Sequence, residues 1–268
     1  MIRKKRIYNL LEGFRTQRNV ISALVYRELK TRISQVNFGI LGVFFGPLAV
    51  ILIFLTIFSI FKGDRGVGLN IFLFLSSGIV LFTFFQDLAI RGANSMQANE
   101  ALFFYRPVKP IDTVIARTII ESLLYLIVFM VIILGVFLFK EEIIFYNFPL
   151  FVSAYLAFTI FCFSLGLILM VAAHFYNWIL QIIPLFIRPL WIISGVFVGL
   201  RQLPQWVRPY ASWNPLVQCI ELIRHSFSIN YIIEPNEVSI VYLWQFSLIS
   251  LFISLWIYQN NENILLKR

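Results

Sequence analysis

Residues Thr113–Phe139 read TVIARTIIESLLYLIVFMVIILGVFLF, and this run decides the fold class. Its only charges, Arg117 and Glu121, lie near one end, and the remainder is overwhelmingly apolar. A bilayer core of ~30 Å needs about 20 such residues in a helix, where each backbone amide is satisfied within its own segment. Working outward, five more stretches meet the same criterion: Gly39–Phe61, Ile71–Ile90, Phe151–Ala173, Trp178–Leu200 and Val238–Tyr258. The sequence therefore predicts an all-α integral membrane protein with six transmembrane helices. Composition agrees, since 60% of the 268 residues are hydrophobic and 13% are charged, against about 25% charged in soluble domains. The 46 aromatic residues exclude a disordered chain, and no barrel-type alternation competes with the helices.

The basic start, MIRKKR, is followed by the polar, charged stretch Ile7–Asn37 rather than by a short apolar core with a cleavage site. The first span is thus expected to be retained. Residues 1–37 read as a basic cytoplasmic tail with an interfacial helix, and 38–268 as the six-span domain. With the amino terminus in the cytoplasm, inner segments hold fifteen Lys and Arg and outer segments six. That asymmetry follows the positive-inside rule and predicts both termini to be cytoplasmic. It also assigns the net charge of +9 to a bilayer rather than to nucleic acid.

Three segments do not read as spans. In Val20–Ser34, Ile21, Leu24, Val25, Leu29 and Ile33 recur at helical spacing, while Arg27, Lys30 and Arg32 are free to face phosphate headgroups. This is an amphipathic interfacial helix with a mechanical role, or simply a basic flank that fixes topology. In the inner loop Arg91–Asp112, Asn94 or Ser95 is expected to cap a short helix that Pro107 and Pro110 terminate. Phe103, Phe104 and Tyr105 there call for a partner protein, or for anchoring at headgroup level. The outer stretch Leu200–Glu237 carries Trp206, Tyr210 and Trp213 but is cut by Pro204, Pro209 and Pro215. It reads as re-entrant or interfacial helices over 200–237, with a break at Asn214–Pro215 and a helix from Pro215 through Arg224. A surface loop with interfacial aromatics is the alternative.

Arg188 falls near mid-depth in the fifth span, bracketed by Pro184 and Pro189. A central Arg costs about 2.5–3.5 kcal/mol on insertion scales. It therefore marks a polar pathway for an anionic substrate, unless the span is shifted and the side chain snorkels. Glu121 is expected to pair with Arg117, four residues earlier. Cys162 and Cys219 have no metal or disulfide-framework spacing, and no phosphate loop, HExxH or GxSxG motif occurs. Glu221 and His225 share a helical face but make a weak catalytic pair. No catalytic, cofactor or metal site is expected on this chain.

The run Gln97–Arg117, QANEALFFYRPVKPIDTVIAR, strongly resembles the loop between spans two and three of capsular-polysaccharide ABC exporter permeases of Gram-negative bacteria. Trp213–Val217 (WNPLV) with Glu221 and Arg224, and Arg27–Glu28 with Thr31–Arg32, extend the resemblance over nearly the whole chain. The resemblance implies a homodimeric inner-membrane permease driven by two cytoplasmic ABC ATPase subunits that carry the ATP and Mg. A periplasmic co-polymerase or adaptor, membrane lipid and a lipid-anchored, acidic capsular polysaccharide are the other implied partners. It places Asn94, Ser95, Asn99, Glu100, Phe103, Phe104, Tyr105 and Arg106 in the ATPase-coupling element. Arg27, Glu28, Lys30 and Arg32 fall in a gate helix, and Arg188, Trp191, Trp206, Tyr210 and Trp213 along the substrate pathway. The sequence departs from the family at Gly42 and Gly46, where Trp and Glu are common, but keeps Pro47. An O-antigen or teichoic-acid exporter permease is the nearest alternative. A membrane-embedded transferase or protease using Glu221 and His225 is more distant, as is a secondary transporter, for which no inverted repeat is evident.

Overall fold

The computed structural model describes residues 2–35, 48–54, 56–57, 68–104, 108–138 and 145–265. Among the described residues there is no strand. The chain runs through α1 (Ile2–Gln35), α2 (Ile71–Ala93), α3 (Ser95–Ala98), a 3-10 turn at Glu100–Phe104, α4 (Pro110–Leu138), α5 (Phe148–Phe175) and α6 (Ile179–Ile193). A 3-10 turn at Leu200–Gln202, α7 (Arg208–Ser212), α8 (Pro215–Phe227) and α9 (Ile240–Leu265) follow. Four of these, α2, α4, α5 and α9, are long and apolar enough to cross a membrane. The first expected span, Gly39–Phe61, lies largely outside the described residues. Within it, residues 48–54 and 56–57 are helical, and Phe54 packs against Trp191 and Phe197 at 5.1 and 5.2 Å.

Helix α5 is central, packing against α9, α2, α8 and α4. Its contact with α2 is closest at Gly92 and Gly166: a Cβ on Gly92 would meet the Gly166 Cα at 2.7 Å. Only glycine at 92 permits that approach, whereas a Cβ on Gly166 would make contacts of 3.4 Å or more. Above the crossing, aromatic rings fill the space between helices, with Phe84 stacked on Tyr155 at 5.9 Å and Phe129 edge-on to Phe151 at 5.6 Å. Three helix starts are fixed by asparagine: Asn70, Asn147 and Asn214 accept from the backbone N–H of Phe72, Leu150 and Leu216. The Asn214–Pro215 break and the helix from Pro215 form as the sequence predicts.

Other boundaries differ. The interfacial helix expected over Val20–Ser34 is part of a 34-residue α1, because nothing between Ile2 and Gln35 breaks a helix except the tolerable Gly13. Pro110 opens α4 instead of closing the preceding loop helix, its missing N–H costing nothing in a first turn. The fifth span, expected over Trp178–Leu200, is a 15-residue helix that runs through Pro184 and Pro189 and stops at Ile193. At 1.5 Å per residue it is about 22 Å long, short of a full bilayer crossing. Beyond it Gly195, at φ +73°, turns the chain back, a conformation open to glycine without steric cost.

Candidate functional site

Two polar constellations stand at opposite ends of the helix bundle. The first gathers α1, the end of α2 and the start of α4. Glu121 of α4 accepts through one oxygen from Arg32 Nη2 at 2.5 Å and pairs with Arg91 Nε of α2 at 3.1 Å. Glu28 of α1 lies 3.8 Å from both Arg32 Nη2 and Arg117 Nε, and Arg117 also donates to the Arg91 carbonyl. Higher up the same seam, Tyr125 donates to Asp87 at 2.8 Å. Burial works against the Arg32 charge, but the hydrogen bond to Glu121 and the nearby Glu28 and Asp87 carboxylates more than offset it. The Arg32 pKa therefore lies above its ordinary value.

This geometry corrects two expectations. Arg32 does not face headgroups: it is 8% exposed and turned into the bundle. The four-residue spacing Glu28–Arg32 keeps both on the protein side of α1 with Leu24, while Tyr26, Arg27 and Lys30 are exposed. Glu121 takes its closest contacts from Arg32 and Arg91, whereas Arg117 turns to Glu28 and the Arg91 carbonyl. Helical spacing made Arg117 available to Glu121, but tertiary packing supplied two competing guanidinium groups.

The short inner segment after α2 adjoins this cluster. Asn94 does not cap α3 through its side chain; its Nδ2 donates back to the Ile90 carbonyl, closing α2. Asn99, buried, donates to the Ser95 carbonyl and accepts from Arg27 of α1. Ser95 is buried, Glu100 is exposed, and Phe103 packs half-buried beside the small core of Met96, Val114 and Met170. Phe104 is 70% exposed. Tyr105 and Arg106 lie outside the described residues. Gln97 donates to Asn177 between α5 and α6, and Lys109 pairs with Glu262 at 2.8 Å, so the ends of α5 and α9 close on the same pole.

The second constellation centres on Arg224 of α8, fully buried. Its guanidinium donates to the carbonyls of Phe74, Gly195 and Val196 at 2.8–3.2 Å and to Glu221 at 3.2 Å. Glu221 in turn accepts from the Leu200 N–H at 3.1 Å and the Tyr231 hydroxyl at 2.8 Å. Every donor of Arg224 and both Glu221 oxygens are thereby used. His225 instead meets the Tyr231 carbonyl through Nδ1, so Glu221 and His225 form no direct pair. Trp206, Tyr210 and Trp213 stand out from the adjoining segment at 75, 79 and 77% exposure.

Residues 19–228 match the family model for the ABC-2 type transporter. This chain belongs to the ABC-2 type transporter family. The transporter chain is 35% identical over 254 residues to the polysialic acid transport protein KpsM of Escherichia coli, covering 95% of this chain and 98% of that one. It is 30% identical to the capsule polysaccharide export inner-membrane protein CtrC of Neisseria meningitidis serogroup A, with coverages of 82 and 83%. Similarity to BexB of Haemophilus influenzae, a protein of the same description, is 27% over 79 and 80%.

In this ABC-2 transporter subunit the expected pathway residues do not form one wall. Arg188 is exposed on α6 beside exposed Leu185 and Phe186. Trp191 is packed inward against Phe82 at 5.2 Å and Phe197 at 5.5 Å. Sequence alone does not gather Asp87, Arg91, Arg117 and Glu121 into one polar seam. Its signal was present as matched four-residue steps, Thr83–Asp87–Arg91 on one helix and Arg117–Glu121–Tyr125 on the next.

Proposed function

We propose that the chain is the transmembrane subunit of an ATP-driven exporter that moves an acidic, lipid-anchored capsular polysaccharide across the bacterial inner membrane. The single observation that carries this reading is the near-complete alignment with a polysialic acid transport protein. The chain works as a homodimer with two ABC ATPase subunits, which bind ATP and Mg, and with a periplasmic adaptor. Both termini face the cytoplasm: the pole formed by α1, the α2–α4 connection and the ends of α5 and α9 is the one rich in Lys and Arg. There, the coupling element from Asn94 to Arg106 seats the ATPase, with Glu100 and Phe104 on its exposed side and the buried Ser95 and Asn99 holding its shape. Arg27, Glu28, Lys30 and Arg32 belong to the gate helix.

Six spans make up the domain, with the helical residues 48–54 and 56–57 as part of the first and α6 as the core of the fifth. The stretch 200–237 is re-entrant, and supporting this, α8 is buried along all of its length except His225. Irregular backbone is tolerated at membrane depth only under such cover. ATP binding on the partners shifts the inner loops, the bundles move as rigid units, and a passage opens for polymer. Arg188 meets carboxylates or phosphates of the chain in transit, and the exposed Trp206, Tyr210 and Trp213 offer apolar faces to sugar rings.

The test is deletion of the gene in its own encapsulated host and complementation in trans. Loss of surface capsule with polymer retained in the cytoplasm, and co-purification of an ABC ATPase with the tagged chain, is the expected outcome. Normal surface capsule in the deletion strain would overturn the reading.

A further inference from the structure

Helix α1 is held to the bundle by a cluster whose two halves are each electrically neutral. On α1, Glu28 and Arg32 sit one turn apart, 3.8 Å from each other. On the body, Arg91 and Arg117 are matched by Asp87 and Glu121, and these are the charged groups that surround Arg32 and Glu121 among the described residues. Withdrawal of α1 therefore strands no net charge on either side. A buried ion pair is costly chiefly when one partner is removed and the other left behind. Here both partners would leave together.

The unsatisfied atoms point the same way. Glu121 Oε2, Arg32 Nε and Arg117 Nε are all buried with no protein hydrogen-bond partner, so Glu121 keeps an oxygen able to accept a further donor. Arg117 lies one helical turn before Glu121, so a change of rotamer takes it to the vacant oxygen as Arg32 departs. On α1, Arg32 retains Glu28. Each carboxylate keeps a guanidinium in either arrangement.

We propose that Glu121 is the positioning residue of a two-state latch, exchanging Arg32 of α1 for Arg117 of its own helix as α1 docks and undocks. The latch adjoins the contact that joins α1 to the inner loop, Arg27–Asn99, and the one that joins α4 to the end of α2, Arg117 with the Arg91 carbonyl. It is therefore placed to convert movement of that loop into movement of α1. This deepens the exporter reading and rests on it.

The test uses the complete complex with its ATPase subunits in liposomes of Escherichia coli polar lipid. Nitroxides are placed at Tyr26→Cys on α1 and Leu123→Cys on α4, both exposed, in a background lacking Cys162 and Cys219. Electron–electron resonance should give two distances whose weights change between the nucleotide-free and ATP-trapped states. Arg32→Gln, which removes the contact from the docked arrangement alone, should move the ratio toward the longer distance by about tenfold or more, the usual worth of one charge-assisted hydrogen bond. In a Glu121→Gln background, which removes the acceptor shared by both arrangements, Arg32→Gln should shift the ratio far less, whereas Arg32→Lys alone should keep the nucleotide response. A single distance unaffected by nucleotide, in a complex that hydrolyses ATP and exports polymer, would overturn the latch and leave the exporter reading standing. So would an Arg32→Gln ratio equal to the wild type, or an Arg32→Gln shift of the same size with and without Glu121→Gln. A complex that binds no ATPase and carries no polymer would overturn both.

Discussion

The Arg224 guanidinium lies 3.6 Å from the centre of the Phe74 ring and hydrogen-bonds that residue's own carbonyl. One side chain of α8 thus clasps the first turn of α2 through both its face and its backbone. The same group takes the carbonyls of Gly195 and Val196, where the chain turns back after α6. Space for it is made by Gly78, where a Cβ would meet Arg224 Nη2 at 3.0 Å and the Val196 carbonyl oxygen at 2.9 Å.

Replacing Arg224 with Ala should therefore destabilise the protein by about 3–5 kcal/mol, since it strands Glu221 and three carbonyls in the interior. Lys should fail to rescue it, having three donors on a point charge where a planar fork is needed. Thermal unfolding of purified protein in detergent checks both, and a variant as stable as wild type would contradict the keystone role.

Gly92→Ala should lower stability by roughly 1–3 kcal/mol, the usual cost of forcing atoms into a packed contact. Its Cβ would stand 2.7 Å from the Gly166 Cα, where neither backbone can yield cheaply. Gly135→Ala, with open space around its Cβ, is the matched control and should be neutral or slightly stabilising.

Phe104→Glu should abolish co-purification of the ATPase while membrane insertion and thermal stability stay at wild-type levels. Its ring is largely exposed, so the charge should spare the core and act only on the proposed docking surface. Phe103→Glu should lose both, because that ring packs on the small core around Met96 and Met170. Retained co-purification with Phe104→Glu would remove Phe104 from the coupling surface.

Arg188→Ala should reduce export at least several-fold with ATPase assembly intact, and Arg188→Lys should retain most of it. The side chain is exposed on α6, so its removal should leave stability within about 0.5 kcal/mol, as for surface changes. Capsule measured at the cell surface against assembled complex separates the two effects, and unchanged export would take Arg188 out of the pathway.

Local features were legible because their causes are local. The apolar run in α4 predicts its helix to within a few residues, and the Asn214–Pro215 pair predicts the start of α8, since a capping oxygen and a ring-fixed φ act over two or three residues. The short α6 was not legible. Its apolar pattern continues past Ile193, but Arg224, thirty-one positions further on, captures the carbonyls that would extend the helix. The face of α1 that meets the bundle is not legible for a related reason. Periodicity places Glu28 and Arg32 together, yet whether that side meets water, lipid or other charges depends on what α2 and α4 present to it.

By itself the sequence determined that this protein lives in a membrane, which segments are long enough to cross it, and where proline and asparagine start helices. Those follow from hydrocarbon transfer and backbone geometry, which each segment expresses alone. Only the tertiary structure decided that the buried charges of three separate helices form one seam, and that a single arginine ties α8 to α2 and the turn after α6. Buried charge is tolerated where opposite charge meets it, and that meeting is a property of packing between distant segments.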